Sequence, residues 1–361
     1  MGEATTNTAL KAESDFKFGD NAFDIIRLVS ALFIVLGHTA THLEIQYPYI
    51  IQQILNFWRG LPCLFVTSGF LISASFDRSQ SKISYLKKRA LRLYPGLFGA
   101  FAVSFLCVIL IGGGYAHLSY SVKDIIAWIV SQVTVFQFYT PTSIAAYGVG
   151  NPNGALWTIS LEIQMYILIM LILPRMKRMK AKSLFGTLVV ALAVNALFPL
   201  TKSFLPEIVY KLINVTFIPY EYYFLIGMVV YIKKETIVPL LTKVFWPMLL
   251  CYGVIWWITS QVVSFPVGHY TNILVGPFLC LLTLSGAYKF GKIRLKHDLS
   301  YSIYLYHMIV INVLVMFGWR GRLLGVLVVG VATLLLSVLS CRLIEEPFLK
   351  KKNNSAFLKR K

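Results

Sequence analysis

Apolar runs recur from one end of the chain to the other, separated by short polar stretches rich in lysine and arginine. About 20 consecutive apolar residues carry a helix across a bilayer core. Runs near that length fall at 23–41, 55–76, 93–112, 124–139, 157–174, 183–199, 213–232, 238–260, 271–288, 301–318 and 323–343. Each predicts a helix, because hydrocarbon offers no water to satisfy an open backbone. No polar stretch between them is long enough to fold as a domain of its own. The pattern predicts one all-α, polytopic membrane domain over 23–343, with polar tails at 1–22 and 344–361.

Charge decides which runs cross. The stretch 77–92 holds Arg78, Lys82, Lys87, Lys88, Arg89 and Arg92, and 175–182 holds Arg175, Lys177, Arg178, Lys180 and Lys182. Basic loops stay on the cytosolic side, so an even number of crossings must separate these two. Counting 124–139 gives an odd number. That run is also the shortest and contains Gln132 and Gln137. It is therefore expected to be re-entrant or interfacial, inside a long outer loop at 113–156. About ten transmembrane helices remain, with both termini cytosolic.

Composition agrees. Of 361 residues, 57% are hydrophobic and only 14% charged, against about 25% charged in soluble domains. The net charge of +19 does not point to nucleic acid, because the cations sit in short loops between apolar spans. A basic inner face would instead attract an anionic cytosolic ligand. Residues 1–22 carry both signs and lack the pattern of a cleavable signal. Met1-Gly2 with Thr6 fits a myristoylation pattern only by chance. The five cysteines lie in or beside apolar runs, none at metal spacing, so neither a disulfide framework nor a metal site is expected.

Polar groups inside spans are costly and need a partner or a task. The first span contains Arg27 and His38. At about 100° and 1.5 Å per residue they share a face to within about 20° and lie about 16 Å apart. Arg27 would sit near the cytosol and His38 near the outer surface. Imidazole is the usual general base near neutral pH, but a histidine making one structural hydrogen bond fits the position as well. His42, one turn on, competes with it. Arg89 and Arg92, at i,i+3, form either a phosphate clamp or a plain cytosolic anchor. Ser68-Gly69-Phe70 permits close helix approach or ligand contact. Trp157 opens the fifth span and Glu162 lies deeper in it, where a carboxylate implies an arginine, the His38 imidazole or a substrate hydroxyl beside it. Tyr301, Tyr304 and His307 form a stripe that either lines a channel or packs. Asn153 lies in the glycine- and asparagine-rich stretch 148–154, a candidate lid over an acceptor. Glu221 is a further buried-acid candidate, and Glu345-Glu346 is expected to anchor the last helix to basic loops.

In this order, Arg27 and His38, Ser68-Gly69-Phe70, Arg89-x-x-Arg92, Trp157 with Glu162, and Tyr301-Ser302-Ile303-Tyr304-Leu305-Tyr306-His307 resemble the acyltransferase 3 family. Its members are membrane acyltransferases that O-acetylate bacterial surface glycans. The resemblance covers about 20–349. It implies a ten-helix fold in the bacterial inner membrane and acetyl-CoA as donor. It implies that His38 and Arg27 are essential and that Arg89 and Arg92 serve the CoA end. Ser68, Gly69, Tyr301, Tyr304 and His307 would line the donor route, and Trp157 and Asn153 would meet the acceptor. Glu162 would act beside His38, orienting it or the acceptor hydroxyl. The acceptor expected is O-antigen or another surface polysaccharide, or a lipid-linked glycan, met among membrane lipids, with no nucleic acid involved. Some members carry a further extracytoplasmic hydrolase-like domain, which is not expected here. Competing readings are a transporter or flippase for a lipid-linked saccharide, and an assembly scaffold without chemistry of its own.

Overall fold

A computed structural model describes residues 17–263 and 265–348. Most of both expected cytosolic tails, including Met1-Gly2 and Thr6, lies outside the described residues. Among the described residues the regular structure is entirely helical. In chain order the α-helices are α1 (Phe23–His42), α2 (Tyr49–Phe57), α3 (Gly60–Asp77), α4 (Lys82–Cys107), α5 (Val122–Val133), α6 (Trp157–Met176) and α7 (Ala181–Leu197), followed by α8 (Glu207–Asn214), α9 (Glu221–Ile232), α10 (Lys234–Lys243), α11 (Phe245–Trp257), α12 (Val275–Lys289), α13 (Ser300–Met316) and α14 (Leu324–Ser340). Six helical stretches are long and apolar enough to cross a membrane, and eight if the bent pairs α8–α9 (53°) and α10–α11 (73°) each count as one.

Two expected runs changed shape. The run 124–139 overlaps α5, whose 12 residues rise only about 18 Å, well short of a bilayer core of about 30 Å. The run 55–76 is broken at Trp58-Arg59, where α2 ends and α3 begins. Gly60 makes the break possible by letting the chain pass close to α1: a Cβ there would stand 2.3 Å from the Ser30 carbonyl oxygen. None of the α2 residues is buried, and Tyr49, Ile50 and Ile54 are exposed; despite the break, α2 and α3 together form one apolar stretch, Tyr49–Asp77, long enough to cross a membrane.

The core is built on α3 and α13. Most of α3 is buried, and α13 is buried without interruption from Ser300 through Asn312. Against α9, α3 packs backbone to backbone through two glycines. A Cβ on Gly69 would lie 2.2 Å from the Phe224 carbonyl oxygen, and one on Gly227 the same distance from that of Val66. This is small-residue packing, which brings helices together where lipid supplies no hydrophobic drive. Gly69, expected on a donor route, is thus spent on the α3–α9 contact.

Introducing a side chain there is expected to destabilise. Overpacking costs about 1–3 kcal/mol, and here the obstacle is a backbone carbonyl. Gly69→Val should lower the unfolding temperature of the detergent-solubilised protein and broaden its size-exclusion peak, whereas Gly186→Ala, in open space, should change neither.

Candidate active site

Helices α1 and α13 run in the same direction and are clamped at both ends. At their N-terminal ends, Arg27 Nη1 lies 2.9 Å from Asp298 Oδ2, just ahead of α13. The same oxygen is met at 2.8 Å by Arg92 Nη2 of α4. The other oxygen of Asp298 accepts from the Ser300 backbone N–H and hydroxyl, an arrangement that also suits the positive end of a helix. At the far end, His38 Nδ1 lies 2.8 Å from His307 Nε2. The two rings are nearly parallel, with centroids 5.1 Å apart.

The hydrogen bonds fix the tautomers. His307 Nδ1 lies 2.8 Å from the Tyr304 carbonyl oxygen, which only accepts, so Nδ1 carries the proton. His307 is fully buried, and among the described residues no carboxylate pairs with it to hold a second proton. Its Nε2 is then an acceptor. His38 must donate from Nδ1, which leaves its Nε2 lone pair unengaged. His42, 5.7 Å from His38 by ring centroid, takes no part in this pair.

Two cavities lie along this axis. At the arginine end a narrow one of about 90 Å³ is lined by Arg27, Ser68, Arg92, Glu162, Tyr301 and Tyr304, with Thr158 among its other walls. Its far wall is a latch in which the Tyr304 and Thr158 hydroxyls bond at 2.7 Å. At the histidine end a wider cavity of about 460 Å³ contains His38 together with Gln46, Gln52, Asn56, Arg59 and Tyr270. The histidine pair lies one helical turn past the latch.

The candidate residues divide accordingly. Arg27, Arg92, Ser68, Tyr301 and Tyr304 gather round the narrow cavity. Arg92 stacks over the Tyr301 ring at 5.7 Å, and the Tyr301 hydroxyl donates to the Leu93 carbonyl. Arg89 lies over the Tyr166 ring at 5.8 Å, with its Nε buried and without a partner. His307, expected among the donor contacts, is instead the partner of His38. Glu162, expected beside His38, lines the other cavity and accepts from the Tyr166 hydroxyl at 2.6 Å. The helix carries it toward the arginine end, because α6 runs opposite to α1.

The expected acceptor residues also sit elsewhere. Trp157 packs on Tyr220 at 5.4 Å and lines neither cavity. Asn153 is buried and donates to the Leu305 carbonyl of α13. The stretch 148–154 is tied down rather than free to close: Asn312 donates to the carbonyls of Asn151 and Pro152 and accepts from the Val149 N–H. Glu345 accepts from Ser302 and Ser340, and Glu346 pairs with His297.

Sequence reasoning passed over two residues. Asp298 is the acid immediately before α13, following the cations Lys289 to Lys296, and that contrast was a usable signal. Arg59 was hidden inside an apolar run that reads as continuous. The Gly60 and Pro62 beside it were the hint of a break.

Burial alone would raise the Asp298 carboxyl, but Arg27, Arg92 and Ser300 overcome this and hold it at about 2. Its folded-state value is therefore depressed. The stabilisation is fully present above about pH 4 and is lost as pH falls toward about 2, a linkage worth about 2 kcal/mol. Asp298→Asn should lower the unfolding temperature at pH 7. The gap between the variant and the native protein should narrow between pH 4 and pH 2. A gap that stays constant across that window would count against the clamp.

Residues 20–342 match the family model described as an acyltransferase domain. Nodulation protein 10 of Rhizobium leguminosarum bv. viciae is 29% identical over 350 residues, which cover 91% of this chain and 93% of that protein. An O-acetyl transferase of Shigella phage Sf6 is 30% identical over 163 residues, covering 45% of this chain and 48% of its own length. No solved structure matches.

Proposed function

The chain belongs to the acyltransferase 3 family, and we propose that it carries an acetyl group from cytosolic acetyl-CoA across the membrane interior to a hydroxyl of a glycan on the other side. The observation that carries this reading is the pair of cavities on either side of one imidazole pair, with the His38 Nε2 lone pair unengaged. A relative that is an O-acetyl transferase supports acyl transfer to oxygen. A surface polysaccharide such as O-antigen is the acceptor we favour, in the cytoplasmic membrane of a bacterium.

For topology we add α12 and α13 to the eight spans counted above, giving ten with both termini cytosolic. The membrane domain is then 23–343, between the tails 1–22 and 344–361. The arginine end faces the cytosol in this arrangement, which matches the basic stretches 77–92 and 175–182.

The residues round the narrow cavity suit the donor. Arg27 and Arg92 offer guanidinium groups to phosphates, and Arg89, outside the cavity lining, lies one helical turn from Arg92 on α4. Ser68, Thr158, Tyr301 and Tyr304 line a slot narrow enough for a slender arm bearing amides. The donor, when bound, supplies an acetyl thioester. Opening the Tyr304–Thr158 latch would join the slot to the histidine pair. His38 Nε2 then takes the proton of the acceptor hydroxyl as that oxygen attacks the acetyl carbonyl; the C–S bond breaks as the ester forms, and the proton passes from His38 to the departing sulfur, which leaves as the CoA thiol. His307 positions the ring by accepting from His38 Nδ1, and the Tyr304 carbonyl positions His307 in turn. Glu162 belongs to the donor slot in this scheme.

Transfer from labelled acetyl-CoA to membrane glycan is expected to fall by about 10² to 10⁴ in His38→Ala; undiminished transfer would sink the proposal. His307→Leu removes the acceptor for His38 Nδ1 and should lower kcat with little change in either KM. His307→Gln, which keeps an acceptor oxygen, should recover part of the loss and leave the pH profile of kcat closer to that of the native enzyme.

A separate measurement addresses the donor end. Arg92→Ala should raise KM for acetyl-CoA by about tenfold, the effect of losing one charge-assisted contact. KM for the glycan should stay unchanged. The reverse pattern would place the donor elsewhere.

A further inference from the structure

A second cavity opens beside the wide one at His38. It holds about 300 Å³ and lies between α2, the end of α11 and the stretch 259–275. Trp256, Ser260 and Phe265 form part of its wall, and Gln53 and Asn272 add amides. Asn56, Arg59 and Tyr270 line both spaces. No aspartate or glutamate lines either one. Both volumes, about 460 and about 300 Å³, match ligand pockets, which run from roughly 300 to 1,000 Å³. The rim of the second cavity is fixed to α2, because Gln261 Nε2 donates to Gln53 Oε1 at 3.0 Å.

Tyr270 stands on the shared boundary in a strained conformation. Its φ is 68°, in the left-handed region that a bulky residue seldom enters. Its neighbours on both sides hold it there. The His269 N–H donates to Asn195 Oδ1, and Asn195 Nδ2 donates back to the His269 carbonyl, each at 3.1 Å. The His269 ring bonds the Tyr220 hydroxyl at 2.9 Å. The Thr271 hydroxyl bonds those of Tyr222 and Tyr223 at 3.1 and 2.7 Å. Gly268, at φ 124°, lets the turn close, since a Cβ there would stand 2.3 Å from the Thr271 carbonyl oxygen. Tyr270 itself is exposed, so burial in the core does not account for the strain. Strain that the surroundings over-determine gathers at ligand sites. A tyrosine ring offers a flat apolar face with a polar edge, which suits the apolar face of a sugar ring.

We infer that the acceptor is gripped across at least two neighbouring sugar units. The unit being acetylated lies in the cavity at His38, and the next lies in the second cavity against Trp256 and Phe265. Tyr270 spans the junction with its ring, and Arg59 gives its N–H fork to the oxygens there. The second cavity is the subsite that selects a sugar chain over a free sugar. This rests on the acyl-transfer reading above and specifies the length of acceptor it takes.

The test uses the full-length protein in detergent and reads binding by saturation-transfer NMR, independently of catalysis. The probes are one-, two- and three-unit fragments of the de-O-acetylated surface glycan of the cells that make the protein, released by partial acid hydrolysis. The two-unit fragment is expected to bind about tenfold more tightly than the one-unit fragment, with little further gain from a third unit. Ser260→Phe, which fills the second cavity from an exposed position, should abolish that advantage and leave one-unit binding as it was. Tyr270→Gly removes the ring and relieves the backbone, since glycine tolerates this φ. It should weaken the two-unit fragment about tenfold while keeping or raising the unfolding temperature. A lower unfolding temperature with unchanged binding would make Tyr270 a structural residue and overturn the inference. Equal affinity of the native protein for one- and two-unit fragments would overturn it too. Preference for two units without acetyl transfer from acetyl-CoA would sink the acyl-transfer reading and leave the subsite standing; transfer with the same KM for one- and two-unit acceptors would do the opposite.

Discussion

The parallel pairing of α1 and α13 is the constraint on which the site depends. One clamp is ionic, with Asp298 shared between Arg27 and Arg92. The other is a single hydrogen bond between two imidazoles. Neither helix can slide or rotate without losing both. A carboxylate taken away from its arginines would leave charge without compensation in a poorly hydrated place, which costs far more than a surface ion pair. The ionic clamp therefore sets the register, and register delivers His38 to His307.

Other elements hold that pair in place. Asn312, one turn and more past His307, ties the 148–154 stretch to α13. A Cβ on Gly148 would fall 1.8 Å from the Asn312 side chain, and its φ of 63° is one that glycine tolerates. Asn153 adds a second staple to the same helix. A stretch whose composition suggests a lid is instead a strut, because its backbone groups are already satisfied by α13. On the opposite flank, Gly69 and Gly227 bring α9 against α3. The result is a rigid centre, with polar residues meeting at the two ends of one axis.

That separation suits a reaction whose reactants come from opposite sides of a membrane. The groups round the narrow cavity at the arginine end include two guanidiniums, whereas the space around His38 is wider. Between them stands a hydroxyl pair, Tyr304 and Thr158. Both hydroxyls also lie within hydrogen-bond distance of the Ala155 carbonyl, which ties the pair to the turn ahead of α6.

The sequence by itself determined what depends on local pattern. Apolar length and loop charge gave an all-helical membrane protein, and parity of the basic loops identified the short run that becomes α5. Helical periodicity put Arg27 and His38 on one face, and the ordered motifs led to the family. Tertiary structure decided what depends on partners far apart in the chain. His38 and His307 are separated by 269 positions, and no periodicity relates them. Which carboxylate meets which arginine follows from the register of α1 on α13, so Asp298 rather than Glu162 joins Arg27. The break at Arg59 was concealed for a similar reason. Hydropathy averages over a run, while the break at Arg59 accompanies the close passage of Gly60 past Ser30, a contact between two helices that neither segment encodes alone.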